Sequence, residues 1–220
     1  MSKIALSGNA LGTGTFTIAS PNSNSDRTLN LPDAGGTVVL DTATQTLTNK
    51  TIQNSPIQGG AITQATAVAS TSGTSIDFTG IPSWVKRITV MLNGVSTNGS
   101  SNFLLQFGSG SIIASGYDSA ASSFNNINAS SGIGFLLTAG NLVVASSVSG
   151  AIVLNLFNPS TNTWVSSGNL ANTTVVVSNG ASHLSAGNRA LSGALDRIRI
   201  TTVNGTDTFD AGSINIMYEG

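Results

Sequence analysis

The chain carries one histidine, nine carboxylates and four large rings with polar tips, and any chemistry would have to be built from these. His183 sits in Ala181-Ser182-His183-Leu184-Ser185 with no carboxylate beside it, and no Gly-x-Ser-x-Gly elbow occurs to present a nucleophile. A Ser–His–Asp arrangement would have to be assembled from remote residues, so His183 is read as a surface or interface side chain. Glycosidic cleavage needs two carboxylates flanking the scissile bond. Asp26, Asp33, Asp41, Asp77, Asp118, Asp196, Asp207, Asp210 and Glu219 fall mostly at strand ends or in turns, without a clustered acid pair. Contacts between copies are the remaining way to bring two acids together. No residue is assigned a catalytic role, and an enzyme is not expected.

Asp207 and Asp210 lie in the oxygen-rich run Asn204 to Gly212, a composition that suits calcium. The spacing lacks the alternating Asp and the terminal Glu of the calcium loop. A turn held by side-chain-to-backbone bonds is the expected structure, and neither metal nor cofactor is expected. The four rings are Trp84, Trp164, Tyr117 and Tyr218. Such rings give sugars an apolar platform with a polar rim. Trp84 follows Ile81-Pro82-Ser83 and is expected to anchor a loop to the core. Trp164 follows the polar run Asn158 to Thr163, and Tyr117 with Asp118 borders the polar stretch Ser119 to Ser131. Tyr117, Asp118 and Trp164 are therefore the ligand-binding candidates.

The elements that must position these groups are short strands. Apolar residues alternate at Ile76/Phe78, Ile88/Val90/Leu92, Phe103/Leu105/Phe107, Ile152/Leu154/Leu156, Ile198/Ile200 and Ile214/Ile216/Tyr218. Val175 to Val177 reads as a further short strand. Asn93-Gly94, Asn98-Gly99, Asn179-Gly180 and Asn204-Gly205 are expected turns, because Asn and Gly tolerate positive φ. Ser119 to Ser131 is expected to be a long polar loop of the kind that often carries function. Lys86–Val90 and Asp196–Ile200 look alike, and two ordinary strands ending in the same turn account for this. Residues 67–220 thus predict a β-sandwich, jelly-roll-like, as a head domain.

Two smaller regions precede it. Residues 1–40 hold three short strands, Thr15–Ile18, Leu29–Leu31 and Thr37–Leu40, too few to bury a core alone. Residues 41–66 form a stem in which Leu47, Ile52, Ile57 and Ile62 stand five apart. That spacing matches neither an amphipathic helix nor a flat strand. It fits an extended chain that turns every few residues and returns each apolar group to one axis, with a flexible linker as the plainer alternative. Fully extended, the stem would reach at most about 85 Å. One such chain buries almost nothing, so Leu47, Ile52, Ile57 and Ile62 are the oligomerisation candidates, in an intertwined stem shared between copies.

Composition narrows the classes. Charged residues make up 8% of the 220 positions, and the net charge is −1. Only Lys86-Arg87 and Arg197/Arg199 are neighbouring cations, which gives no electrostatic footprint for nucleic acid or an anionic membrane. Cysteine is absent, so disulfides and thiolate metal sites are excluded. The opening residues do not read as a signal peptide, and no segment has the roughly 20 apolar residues of a membrane helix.

The stretch Gln45-Thr-Leu-Thr-Asn-Lys-Thr-Ile52 resembles one found in virion proteins of tailed bacteriophages, especially tail-fibre and head-fibre proteins. Arg27–Val38 resembles the strand-turn-strand that precedes it there. Ile76–Val90 and Asp207–Ile216 are similar to the flanks of a β-domain of tail-fibre-like proteins, while residues 100–190 match no named family. The resemblance implies a homotrimer on the exterior of a phage virion, partnered by capsid, portal, tail or adaptor proteins and often by host-surface glycan. Three function classes follow: a trimeric fibre or spike with glycan recognition by its head, a capsid decoration or cement protein, and a polysaccharide-degrading spike. Trimer rather than dimer comes from the resemblance; the need for further copies comes from the stem spacing.

Overall fold

In a computed structural model, the chain divides into two compact units, Met1–Gln53 and Asn54–Gly220. The structure describes residues 11–15, 17, 22–26, 28, 62–123, 128–140, 142–144, 146–173 and 182–220. Leu47, Ile52 and Ile57, the strands expected at 29–31 and 37–40, and the strand expected at Val175–Val177 lie outside the described residues. So do Asn179-Gly180 and all of Thr15–Ile18 except Thr15 and Thr17. Ile62 is described and is 55% exposed.

The described part of the second unit is all β. In chain order its strands are β1 (Thr63–Gln64), β2 (Val68–Ala69), β3 (Ile76–Thr79), β4 (Arg87–Thr97), β5 (Phe103–Ser109), β6 (Ser111–Ile112) and β7 (Asp118–Ser123). They continue as β8 (Asn128–Ser131), β9 (Phe135–Leu136), β10 (Val148–Asn158), β11 (Thr163–Asn172), β12 (Ser182–Ala190), β13 (Arg197–Thr202) and β14 (Phe209–Glu219). Every pairing is antiparallel. A nine-stranded sheet runs β1-β14-β4-β10-β11-β12-β7-β8, with β2 also on β14; a five-stranded sheet runs β3-β13-β5-β6, with β9 also on β5. Jelly rolls send most successive strands to opposite sheets. Here β10, β11 and β12 form a meander within one sheet.

Alternation explains where the core sits. Ile88, Val90 and Leu92 of β4, Ile152 and Leu154 of β10 and Ile214 and Ile216 of β14 are buried on the inner face of the large sheet. They pack in one cluster with Ile76 and Phe78 of β3, Phe103, Leu105 and Phe107 of β5, and Ile198 and Ile200 of β13 from the small sheet. Period-two strands cover a core with one face and meet their surroundings with the other.

The large sheet changes phase at a bulge. In β4 the inward positions run 88, 90, 92 and then 95, an odd step that inserts one residue. Asn93-Gly94, expected as a turn, lies inside this strand, and Gly94 takes φ +63°. The positive φ that serves a tight turn serves a bulge equally well. Across from it, β14 breaks register around Ala211–Ser213, with Gly212 at φ +89°. A Cβ on Gly212 would run into the Gly94 carbonyl, so glycine is required where the two bulges meet back to back. Asn204-Gly205 does form the expected turn, with Gly205 at φ +68°.

Ser119 to Ser131 is not a long loop. Asp118–Ser123 and Asn128–Ser131 pair as the hairpin β7–β8. Its inward residues are small: Ser119, Ala121 and Ser123. These hydroxyls replace missing strand partners. Leu136 of β9 bonds β5 on one side. On the other, its N–H donates to Ser119 Oγ at 2.8 Å, and its carbonyl accepts from Ser185 Oγ at 2.5 Å. Buried backbone polar groups need such partners, so this part of the interior is built from serine.

Candidate functional site

The ligand candidates separate in space. Tyr117 is 4% exposed and Trp164 is 2% exposed, so neither ring can serve as a platform for a sugar. Tyr117 stacks edge-on against Phe107 and Phe135. Its hydroxyl accepts from the Phe107 N–H at 3.0 Å and lies 3.0 Å from the Ile113 carbonyl, to which it can donate. Burial pushes the phenol up to about 12, against the opposing pull of the Phe107 bond and of Arg189. The polar tip that suggested a ligand is used to hold a loop to the core. Trp84, expected to anchor a loop to the core, is 50% exposed and lies tilted 53° against Tyr218 at 5.8 Å, a ring that itself packs on the core. Proline and serine before it place it in a turn rather than on a strand face.

His183 is buried on the inner face of β12 and is not a surface residue. The Ala139 N–H donates to its Nδ1 at 3.2 Å, which fixes the neutral tautomer with the proton on Nε2. Burial lowers its pKa below the usual 6.5. Nε2 has no partner among the described residues, nor have Ser123 Oγ, Trp164 Nε1, Ser166 Oγ and Arg189 Nε. All five belong to the adjacent strands β7, β11 and β12.

Most carboxylates of the second unit are already committed. Asp77 takes a bidentate bond from Arg199 at 2.7 and 2.6 Å. Asp196 accepts from Arg197 Nε at 2.8 Å and from the Gly110 N–H, and the arginine holds its carboxyl below the ordinary 3.8. Asp210 accepts from Ser96 Oγ, and Glu219 from Arg87 at 3.0 Å. Asp207 accepts from the Ser101 N–H at 3.0 Å and from the Asn204 amide. The start of the run is the expected turn, with the Thr206 and Asp207 N–H groups donating to Asn204 Oδ1, while residues 209–212 open β14. No group of three His, Cys, Asp or Glu able to hold a metal occurs among the described residues. Asp118 alone among the described carboxylates of this unit has no hydrogen-bond or ion-pair partner.

Asp118 stands near one edge of the outer face of the nine-stranded sheet. Cross-strand registers define three levels across β14, β4, β10, β11, β12 and β7. The first is Met217, Thr89, Val153, Ser167, Ala186 and Ala120. The second is Asn215, Met91, Ala151, Asn169, Leu184 and Ser122. The third is Glu219, Arg87, Asn155, Val165, Asn188 and Asp118. Charge stands only at the two ends of the third level. A mostly apolar depression of about 730 Å³ opens around Leu184, which is 51% exposed. A second, of about 560 Å³, lies beside Asp118, Ser130 and Ser131.

No protein-family model matches the chain, and neither a curated protein nor a solved structure does. The site therefore speaks through its own chemistry: a broad, uncharged, half-apolar face beside carboxylates that are nearly all occupied. Sequence reasoning missed the face because its strands β7, β11 and β12 are built from Ser, Ala, Gly and Asn. The signal that could have found it is the complete absence of Asp, Glu, Lys and Arg from 119 to 188.

Proposed function

We propose that the chain is a structural virion protein of a tailed phage. In this reading it is a homotrimeric fibre or spike on the particle exterior, docked through its N-terminal part on other virion proteins. The observation that supports assembly is the outer face of the large sheet, with two complete levels free of charge. Its exposed Leu184, with the Met, Val and Ala residues around it, is the apolar surface that a covering partner would bury. The Gln45–Ile52 resemblance supplies the particle, and Leu47, Ile52, Ile57 and Ile62 supply a shared axis.

Host-surface glycan recognition by the head is the outward half of this reading, and exposed Trp84 is the ring available for it. Burial of Tyr117 and Trp164 removes two of the sugar platforms, which favours a second reading, a decoration or cement protein that stabilises the capsid shell. Glycan-array binding by the full chain separates the two.

The stem tests the common core of both. Replacing Ile52→Asp together with Ile57→Asp places charges where copies meet and strips them of water, a cost of several kcal/mol per buried unpaired ion. The expected result is loss of the oligomer in light scattering with the β-rich circular dichroism of the head retained. A double variant that keeps the oligomer overturns the shared-axis stem.

A further inference from the structure

The charges that flank the uncharged face have a geometry of their own. Arg87 lies on β4 near one edge of the sheet and Asp118 on β7 near the other, on the same face and at the same level. Four strand spacings separate them, about 19 Å, so they cannot meet within one chain. Arg87 is half exposed and donates from one guanidinium nitrogen to Glu219, while Asp118 has no partner among the described residues. A rotation about an axis running along the strands leaves the level of every residue unchanged and brings one edge of a sheet to the opposite edge of the next copy. Arg87 and Asp118, of opposite sign and equal height, then face each other, with the guanidinium nitrogens that Glu219 leaves open turned to the unpartnered carboxylate.

Size points the same way. Seven strands from β14 to β8 span roughly 30 Å, and the paired length along them is roughly 25 Å, on the order of 750 Å². One partner in a stable protein interface contributes about 800 Å². Between the charged ends of the third level stand Asn155, Val165 and Asn188, and the two uncharged levels beside it hold Met91, Ala151, Val153 and Ala186, none with a charge to repel an identical face. A neighbour with a different, charged surface would find no complement there beyond the two ends.

We propose that the outer face of the nine-stranded sheet is where one copy of this chain packs against the next around an axis parallel to the strands, with Arg87 of one copy opposite Asp118 of its neighbour. The proposal rests on the assembly reading above and adds to it the surface and the charge pair. It holds for any cyclic order about such an axis.

The absence of cysteine gives a direct test. The full chain carrying Arg87→Cys and Asp118→Cys is oxidised and run on non-reducing gels beside each single variant. The double variant is expected to convert mostly to covalent multimers ending at the closed ring, while the single variants stay largely monomeric on the gel. In parallel, Val153→Glu is expected to raise the half-dissociation concentration of the oligomer tenfold or more, while Thr79→Glu on the small sheet leaves it unchanged. Both substituted cysteine positions are exposed, and circular dichroism matching the parent verifies the fold of each variant. An oligomeric chain that gives no cross-link, and whose assembly ignores Val153→Glu, overturns this face while leaving the stem reading intact. That result is also expected if glycan or another virion protein occupies the face. A parent chain that is monomeric throughout overturns both.

Discussion

On the outer face of the five-stranded sheet, β3 and β13 present Asp77, Arg197 and Arg199. On the outer face of the nine-stranded sheet, the central positions hold Met91, Val153, Ser167 and Ala186. The two faces belong to one unit and share one core, so folding alone does not explain the contrast. Charge on an exposed sheet keeps other sheets away, and natural β proteins rely on it for that purpose. The small sheet has this protection and the large sheet lacks it across two full levels. In a chain with only 8% charged residues, the small sheet gathers Asp77, Arg197 and Arg199 together, while the large sheet carries Glu219, Arg87 and Asp118 at the ends of one level only.

The largest expected effect that tells the sheets apart is on their glycines. Gly212 combines φ +89° with a closely apposed Gly94 backbone, whereas Gly110, in the turn after β5, has φ +74° and open space around a would-be Cβ. Gly212→Ala is expected to cost about 3 kcal/mol, strain plus displacement of β4, and Gly110→Ala about 1 kcal/mol. Urea unfolding of the two variants measures the difference. Equal losses would mean that the bulge is free to relax.

Acid is the next discriminator, because the sheets titrate in separate windows. His183 in the large sheet has its folded pKa lowered by burial, so between that value and 6.5 the unfolded chain binds the proton more readily. Its contribution is complete above pH 6.5 and declines as pH falls below it. Asp196, beside the small sheet, is held below 3.8 by Arg197. Its contribution is present above 3.8 and disappears only as pH falls through the lowered folded value. Melting temperature is therefore expected to drop in two steps, and His183→Gln should flatten the one below pH 6.5. A profile unchanged by that substitution would remove the histidine from the account.

The smallest effect belongs to the ion pairs on the small sheet. Asp77 and Arg199 are each about one-third exposed, at 37% and 35% of their side chains. Asp77→Asn is expected to cost less than about 1 kcal/mol, shrinking further in 1 M salt. A larger loss would show that these charges hold the sheet together as well as marking its wet side.

What the sequence made legible follows the same division. Strands β3, β4, β5, β10, β13 and β14 announce themselves because Ile, Leu, Val and Phe alternate with polar residues. Strands β7, β8 and β12 do not, because their inward positions are largely serine, alanine and histidine, whose burial depends on partners such as Leu136 and Ala139 far away in sequence. Asn93-Gly94 reports positive φ without saying whether it closes a turn or makes a bulge; only the matching break at Gly212 decides that. The rings fail for a related reason. A tyrosine with a polar neighbour suits a binding site, and the same hydroxyl suits a buried backbone, so Tyr117 is buried where a ligand contact was expected. Asp118 was named as a ligand candidate; that it has no partner among the described residues, and that it is level with Arg87, required the structure.

The unpartnered polar atoms on β7, β11 and β12 bear on how the molecule breathes. Each such atom in a folded interior is a standing cost of about 1–3 kcal/mol that local opening refunds by returning it to water. The cost of opening is therefore uneven across one continuous sheet. The β4–β10–β14 portion, backed by Ile88, Ile152 and Ile214, is expected to exchange its amides close to the global unfolding limit, and the β7–β12 portion at lower energy. A contact between copies that covers Asp118 would stiffen that looser portion first.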